Sequence, residues 1–180
     1  MKLTANGKSS TQPLAVKMDP RSKATPEALQ RQFALAAELS AKVGEVSTAL
    51  QQANDLRRQI EERKKDAAGK ADLLAALEDF QRKVAGVADP GSDAESSPLG
   101  PVLPDAEHEP LSRVASGLSG VMGVAESGDV APTPDVTTTA KAWGAASTDA
   151  LARWKIVMEK DLMEVNAKLE HASLKPLAVR

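Results

Sequence analysis

The fold is determined by a long helical pattern in residues 25–60, which read TPEALQRQFALAAELSAKVGEVSTALQQANDLRRQI. Thr25, Pro26 and Glu27 are favoured at an N-cap, at the first helical position and in the first turn, respectively. Apolar residues then recur every three or four positions, which predicts one continuous apolar face. They are Leu29, Phe33, Ala36, Leu39, Val43, Val46, Leu50, Ala53, Leu56 and Ile60. We predict a helix of about forty residues, or about 60 Å, that ends near residues 68–69.

Three further segments show the same periodicity. We predict helices over about 71–87, 110–126 and 134–171, the last of which repeats the first start signal as Thr133-Pro134-Asp135. We expect all four aromatic residues of the chain to face inward: Phe33, Phe80, Trp143 and Trp154. The other inward residues are Leu73, Leu74, Leu77, Val84, Val87, Leu111, Val114, Leu118, Val121, Ala125, Val136, Ala140, Leu151, Met158, Leu162, Val165 and Leu169.

Residues 88–110 separate the second predicted helix from the third. They contain five prolines and six acidic residues but no lysine or arginine, which is the composition of a loop. The two outer helices are each roughly forty residues long and the two inner ones roughly seventeen. These lengths favour a mainly α fold: an elongated up-down-up three-helix bundle with an interrupted middle helix, plus a short N-terminal β-hairpin. A four-helix arrangement stays open, although it would expose apolar faces of the long helices.

Gly44 lies inside the first helix, where glycine is unfavourable by about 1 kcal/mol relative to alanine. Its position is level with the predicted break in the middle helix. We therefore expect the backbone of the 88–110 loop to approach the first helix closely at Gly44.

Two units follow from this reading: a β-hairpin over residues 1–22, and a helical bundle over residues 23–180 with the acidic, proline-rich loop at 88–110. Asn6-Gly7 predicts a type I′ turn. Leu14, Val16 and Met18 alternate with less apolar residues, which predicts a half-buried second strand. A lone hairpin is marginally stable in water, so we expect this strand to add to the sheet of a β-rich partner. Leu14, Val16 and Met18 are the predicted partner-binding residues.

The overall composition excludes several classes of protein. The apolar fraction is 42% and the net charge is −2, but the apolar residues include 31 alanines and only four aromatics, which argues against an all-β fold. The absence of cysteine excludes disulfides, thiol catalysis and cysteine-ligated metals. Residues 1–24 contain no secretory signal pattern, and no apolar run is long enough to span a bilayer.

The carboxylates are the first candidates for catalysis, because glycoside hydrolysis needs two of them across a sugar. Glu61 with Glu62, and Glu159 with Asp161 and Glu164, are the candidates by residue type. Their spacing among lysines and arginines is more typical of a solvated helix face. Phosphate-binding loops and nucleophile elbows are also missing, so we predict no catalytic residue.

Metal, cofactor and nucleic-acid sites receive little support. Asp105, Glu107, His108 and Glu109 could contact a cation, but they lie in a proline-rich loop, and we favour a solvated loop. The helical spacing of the two tryptophans indicates core packing rather than a cofactor slot. The basic run at 57–65 contains acids and no aromatic residues, so we expect no nucleic-acid partner.

Two stretches nevertheless resemble a known family. One is residues 12–21, QPLAVKMDPR, followed by QRQFAL at 30–35; the other is GVAESGDVAPT at 123–133, followed by LARWK at 151–155 and by Asp161-Leu162. They resemble the C-terminal region of bacterial secreted proteins with sortilin-like, BNR-repeat β-propellers, often labelled glycosyl hydrolases. The resemblance implies that residues 1–22 are the last strands of a β-sandwich-like segment and that a helical tail follows. It places hydrolase activity in the propeller, so no catalytic residue carries over.

The leading prediction is a non-catalytic helical scaffold or interaction domain that binds a β-rich partner, either a separate protein or upstream propeller and sandwich domains. The alternatives are a carbohydrate-active hydrolase, or a fragment of one, and a stand-alone accessory subunit of a larger complex. The resemblance implies an extracellular or periplasmic location. The missing signal pattern keeps a cytoplasmic location open.

Overall fold

The computed structural model describes residues 1–89, 103–104 and 108–179, so most of the predicted 88–110 loop lies outside the described residues. Two strands, β1 (Lys2–Ala5) and β2 (Lys8–Thr11), precede the helices. The helices are α1 (Pro26–Asp66), α2 (Ala71–Ala88), α3 (Leu111–Ala125), α4 (Pro134–Ile156) and α5 (Leu162–His171). A π-helical turn, Val157–Asp161, joins α4 to α5 without a break.

The predicted helix starts are confirmed. The hydroxyl of Thr25 accepts a hydrogen bond from the Ala28 N–H at 3.2 Å, and the hydroxyl of Thr133 accepts one from the Val136 N–H at 3.3 Å. In both cases proline follows the cap. Because proline has no N–H, the first turn contains one backbone donor fewer that would lack an intrahelical acceptor. Local chemistry therefore determines where the two longest rods begin.

The helices form three rods, as the fold class predicts. Arg57 of α1 donates to the carbonyl of Asp89 at 2.7 Å, next to the C-terminal end of α2. Gln32, near the opposite end of α1, donates to the carbonyl of Ala125 at 2.7 Å. Because α2 packs on the C-terminal half of α1 and α3 on its N-terminal half, both antiparallel, α2 and α3 follow one another along a single rod. The third rod, α4 to α5, runs parallel to α1.

The core lies along the seam between the rods. The fully buried residues of α2 and α3 repeat at the predicted three- and four-residue steps. In α4 and α5 the step changes, because Trp154 and Val157 are followed on the buried face by Leu162, five positions later. The Leu162 N–H bonds to the Val157 carbonyl, which is the longer π-type bond. Met158, predicted to face inward, packs half-buried against this core, and Val157 one position earlier is the fully enclosed residue.

One prediction about α1 was wrong. Phe33 is 76% exposed, because α1 uses the neighbouring Gln32 face against the C-terminal end of α3, and the next residue lies about 100° around the helix. The predicted approach of the 88–110 loop to Gly44 concerns residues that lie mostly outside the described ranges; within those ranges, no atom from outside the local α1 backbone lies within 4 Å of where a Gly44 Cβ would be. Gly117 of α3 does allow a close approach, because it lies against the Trp143 indole.

The hairpin turn is confirmed, but the second strand is not where the alternation put it. Asn6 and Gly7 have φ of 49° and 75°, as a type I′ turn requires, and Ala5 pairs with Lys8. The five residues before the turn pair with the five after it, ending at the Gln12–Met1 bonds. Residues 13–19 lie beyond that pairing and contain neither helix, strand nor turn.

Candidate functional site

The candidate site is the N-terminal arm, defined as residues 1–22. Every residue of β1 and β2 is exposed, and neither strand contacts a helix of the described chain. The bundle buries its apolar seam without help from the hairpin. The arm is therefore a surface element, and its packing is not part of what stabilises the helices.

The three predicted partner-binding residues lie in the part of the arm that follows the hairpin. Leu14 is 67% exposed, Val16 90% and Met18 49%. Half-burial of these side chains was predicted and is wrong, because no described element packs over them. They do form one exposed apolar surface within five residues, which is unusual for a chain whose other large apolar side chains mostly line the core.

The arm ends at a compact turn. Arg21 and Asp19 form an ion pair, with the guanidinium Nη2 at 2.7 Å from a carboxylate oxygen, and the Arg21 N–H bonds to the same side chain at 2.9 Å. The Ser22 N–H closes the turn on the Asp19 carbonyl at 2.9 Å. Hydrogen bonds from the Arg21 side chain and backbone lower the pKa of Asp19. This turn separates the extended segment from α1.

A second polar cluster lies where α3 begins beside α4, at the level of the break in the middle rod. Glu109 is 2% exposed and forms an ion pair with Arg113 at 3.1 Å. Arg153 donates to the Glu109 carbonyl and, at 2.9 Å, to Asp149. His108 Nδ1 lies 3.2 Å from the same Asp149 oxygen, Oδ2, that accepts from Arg153. These contacts connect the start of α3 to α4.

The polar cluster contains two of the four residues that the sequence offered as a cation site. His108 and Glu109 face Asp149 and Arg113, whereas Asp105 and Glu107 lie outside the described residues. In the described ranges no three histidine or acidic side chains converge as a metal site would need. Sequence reasoning missed Arg113, Asp149 and Arg153. Their signal was the four-residue spacing of Glu109 to Arg113 and of Asp149 to Arg153.

The carboxylates considered for glycoside hydrolysis are exposed or paired with cations on helix faces. Glu61 lies 3.6 Å from Lys64, and Glu159 lies 3.6 Å from Lys155. Asp161 is the most enclosed of the set, and Lys83 of α2 bonds to it at 2.6 Å. Asp161 and Glu164 line a shallow groove between α2 and α5 that also contains lysines. The arrangement is that of a mixed-charge surface.

Among the described helices, none combines the length and apolar character that crossing a membrane demands. Comparison with protein-family models, with curated protein sequences and with solved structures gives no match. The arm and the bundle therefore have to be interpreted from their own geometry.

Proposed function

We propose that the chain is a non-catalytic helical interaction domain whose N-terminal arm binds a β-rich protein. The observation that carries the proposal is the exposure of Leu14, Val16 and Met18 on an arm whose two strands contact no described helix. A two-stranded hairpin is marginal on its own, so an arm of this kind gains order from pairing with further strands. The bundle would then serve as the rigid body that carries the arm.

The resemblance to the tails of secreted β-propeller proteins agrees with this proposal. A common origin with those proteins is itself part of what we propose. On that interpretation the partner is the propeller or sandwich region of the same polypeptide or of a separate subunit, outside the cytoplasm. The bundle supplies packing rather than chemistry, because the two enclosed carboxylates described above are paired with cations: Asp161 with Lys83, and Glu109 with Arg113.

Hydrogen exchange of the full chain tests the proposal. We expect the amides of residues 14–18 to exchange at nearly intrinsic rates while the core amides of α1 and α3 are protected. The triple variant Leu14→Ser, Val16→Ser, Met18→Ser should retain the melting temperature of the parent, whereas the control Leu77→Ala should lower the unfolding free energy by about 2–5 kcal/mol. Strong protection at 14–18 in the monomer would contradict a missing partner.

Site-specific photo-crosslinking tests whether a partner exists. A photoreactive residue at Val16 should capture a β-rich protein in the source cells, and the same residue at exposed Ala152 of α4 should not. An equal yield from both positions would contradict docking through the arm. Hydrolysis of aryl-glycosides by the purified chain, lost in Asp161→Asn or Glu164→Gln, would instead establish the hydrolase alternative.

A further inference from the structure

The hairpin register determines which way each backbone N–H in the arm points. Met1 and Gln12 exchange both of their hydrogen bonds, at 2.7 and 3.0 Å. In an antiparallel pair such residues alternate with non-bonded ones, so the even-numbered residues of β2 point their N–H and C=O groups at β1. The odd-numbered residues, Ser9 and Thr11, point theirs outward.

Residues 12–19 contain no helix, strand or turn, so a partner strand that orders them as a continuation of β2 would impose the same alternation on them. In this register the N–H groups of Leu14, Val16 and Met18 point to the same edge of the segment at which β2 pairs with β1. No described residue accepts a hydrogen bond from these three amides. In that register their side chains would share one face with Leu3, which is 64% exposed. The same three residues thus provide both the unpaired backbone N–H groups and the exposed apolar side chains.

The opposite edge of the segment is a poor one for pairing. Pro13 falls among the odd-numbered residues and has no N–H, so a strand added outside Thr11 would meet a missing donor at its next position. The edge of Leu14, Val16 and Met18 has all three donors. Pairing is therefore favoured in line with β1 and not outside β2.

The charge of the arm indicates the chemistry of the strand that would pair there. Residues 1–22 contain four basic side chains and one acid, and that acid, Asp19, is already paired with Arg21. In the continued register Lys17 would lie on the same face as Lys2, opposite the apolar one. The rest of the chain is net acidic, since the whole carries −2. Two arms of this charge repel one another, which disfavours a second copy as the occupant.

We propose that Leu14, Val16 and Met18 form the pairing edge for a strand of a partner protein that lies in line with β1. The partner strand presents apolar side chains on the Leu3 face and acidic side chains opposite Lys17, because cross-strand pairs of opposite charge and of apolar residues stabilise a sheet. This inference rests on the proposed function and adds to it the edge used and the character of the partner.

Synthetic strand peptides test the inference with the full chain. The probes are a seven-residue peptide that alternates valine with glutamate and its valine–lysine counterpart. We expect the glutamate peptide to slow amide exchange at Leu14, Val16 and Met18 but not at Ala15 and Lys17. The lysine peptide should bind roughly fivefold more weakly or worse. Equal binding of the two peptides, or no binding of either, would overturn the inference.

Two proline variants distinguish the edges. Val16→Pro removes a donor from the proposed pairing edge and should abolish peptide binding, whereas Ala15→Pro removes one from the opposite edge and should retain it. Both residues are exposed, so thermal unfolding should be unchanged in either variant. Loss of binding in Ala15→Pro alone would refute the edge assignment and leave the proposed function standing.

Two further measurements address other occupants. Vesicles of phosphatidylserine that bind the chain while the glutamate peptide does not would replace the protein partner by a membrane surface and overturn both proposals. Concentration-dependent dimerisation that Val16→Pro abolishes, seen by sedimentation without peptide, would assign the edge to a second copy and overturn the partner inference.

Discussion

The indole of Trp143 lies directly against Gly117: a Cβ at position 117 would be 2.3 Å from two ring carbons. Trp143 is 3% exposed, so the ring has no room to move outward without opening the seam between α3 and α4. This contact is what brings the two helices close together at that level.

Replacement of Gly117 should therefore destabilise the bundle. We expect Gly117→Ala to lower the unfolding free energy by about 1–3 kcal/mol, despite the helix propensity of alanine, because the ring or the helix has to shift. Gly44→Ala is the matched control and should raise it by about 0.5–1 kcal/mol, since no described residue approaches that position. Denaturant titration followed by tryptophan fluorescence measures both. A stabilising Gly117→Ala would contradict the packing described.

The two phenylalanines should differ strongly. Phe80 is 2% exposed in the core of α2, whereas Phe33 is 76% exposed on α1. We expect Phe80→Ala to cost about 3–5 kcal/mol and Phe33→Ala to stay within about 0.5 kcal/mol of the parent. Comparable losses in thermal unfolding would mean that Phe33 packs inward, as its spacing alone suggests.

The ion pairs of Asp149 should make stability depend on acid pH. Burial raises the pKa of Asp149, but hydrogen bonds from Arg153 and His108 outweigh it and hold the pKa below its ordinary 3.8. The folded state therefore favours the carboxylate: its contribution is complete above 3.8 and is lost as the pH falls through the lowered pKa.

The variant that tests this dependence is Asp149→Asn. We expect it to lower the unfolding free energy at neutral pH by up to about 1 kcal/mol, because the carboxylate is substantially exposed. The difference in unfolding free energy between the variant and the parent should disappear at acid pH, below the ordinary pKa of the carboxyl group. Asp129→Asn is the control, since Asp129 forms no ion pair with a described residue. A deficit in Asp149→Asn that persists to the acid end would contradict the linkage.

The π turn should tolerate loss of one residue. Deleting exposed Glu159 converts the five-residue step between Val157 and Leu162 into an ordinary four-residue step, and α5 keeps its buried face. We expect the unfolding free energy to change by no more than about 1 kcal/mol. Deleting exposed Gln51 of α1 rotates the following residues by about 100° and should abolish cooperative unfolding. If circular dichroism melts show similar changes in stability for the two deletions, the interpretation of the π turn is refuted.

Much of the fold could be predicted from residues close together in the chain. Thr25 and Thr133 accept from amides three residues ahead, and the Asn6-Gly7 turn needs only its own positive φ angles. The stripes of α2 and α3 follow because a period of 3.6 residues places every third or fourth residue on one face. For the candidate site, the sequence indicated Leu14, Val16 and Met18 as a group but assigned them a strand that the hairpin does not reach.

By itself, then, the sequence determined the helix starts, the turn and the three-rod length match, because each of these depends on local dihedral preference and periodicity. Only the tertiary structure decided that Gly117 lies in close contact with Trp143, that Phe33 faces outward, and that a π turn restores the register of α5. It also decided that neither strand of the arm contacts a described helix. These outcomes depend on which residues from distant parts of the chain share one seam, and periodicity within a single helix carries no information about its neighbours.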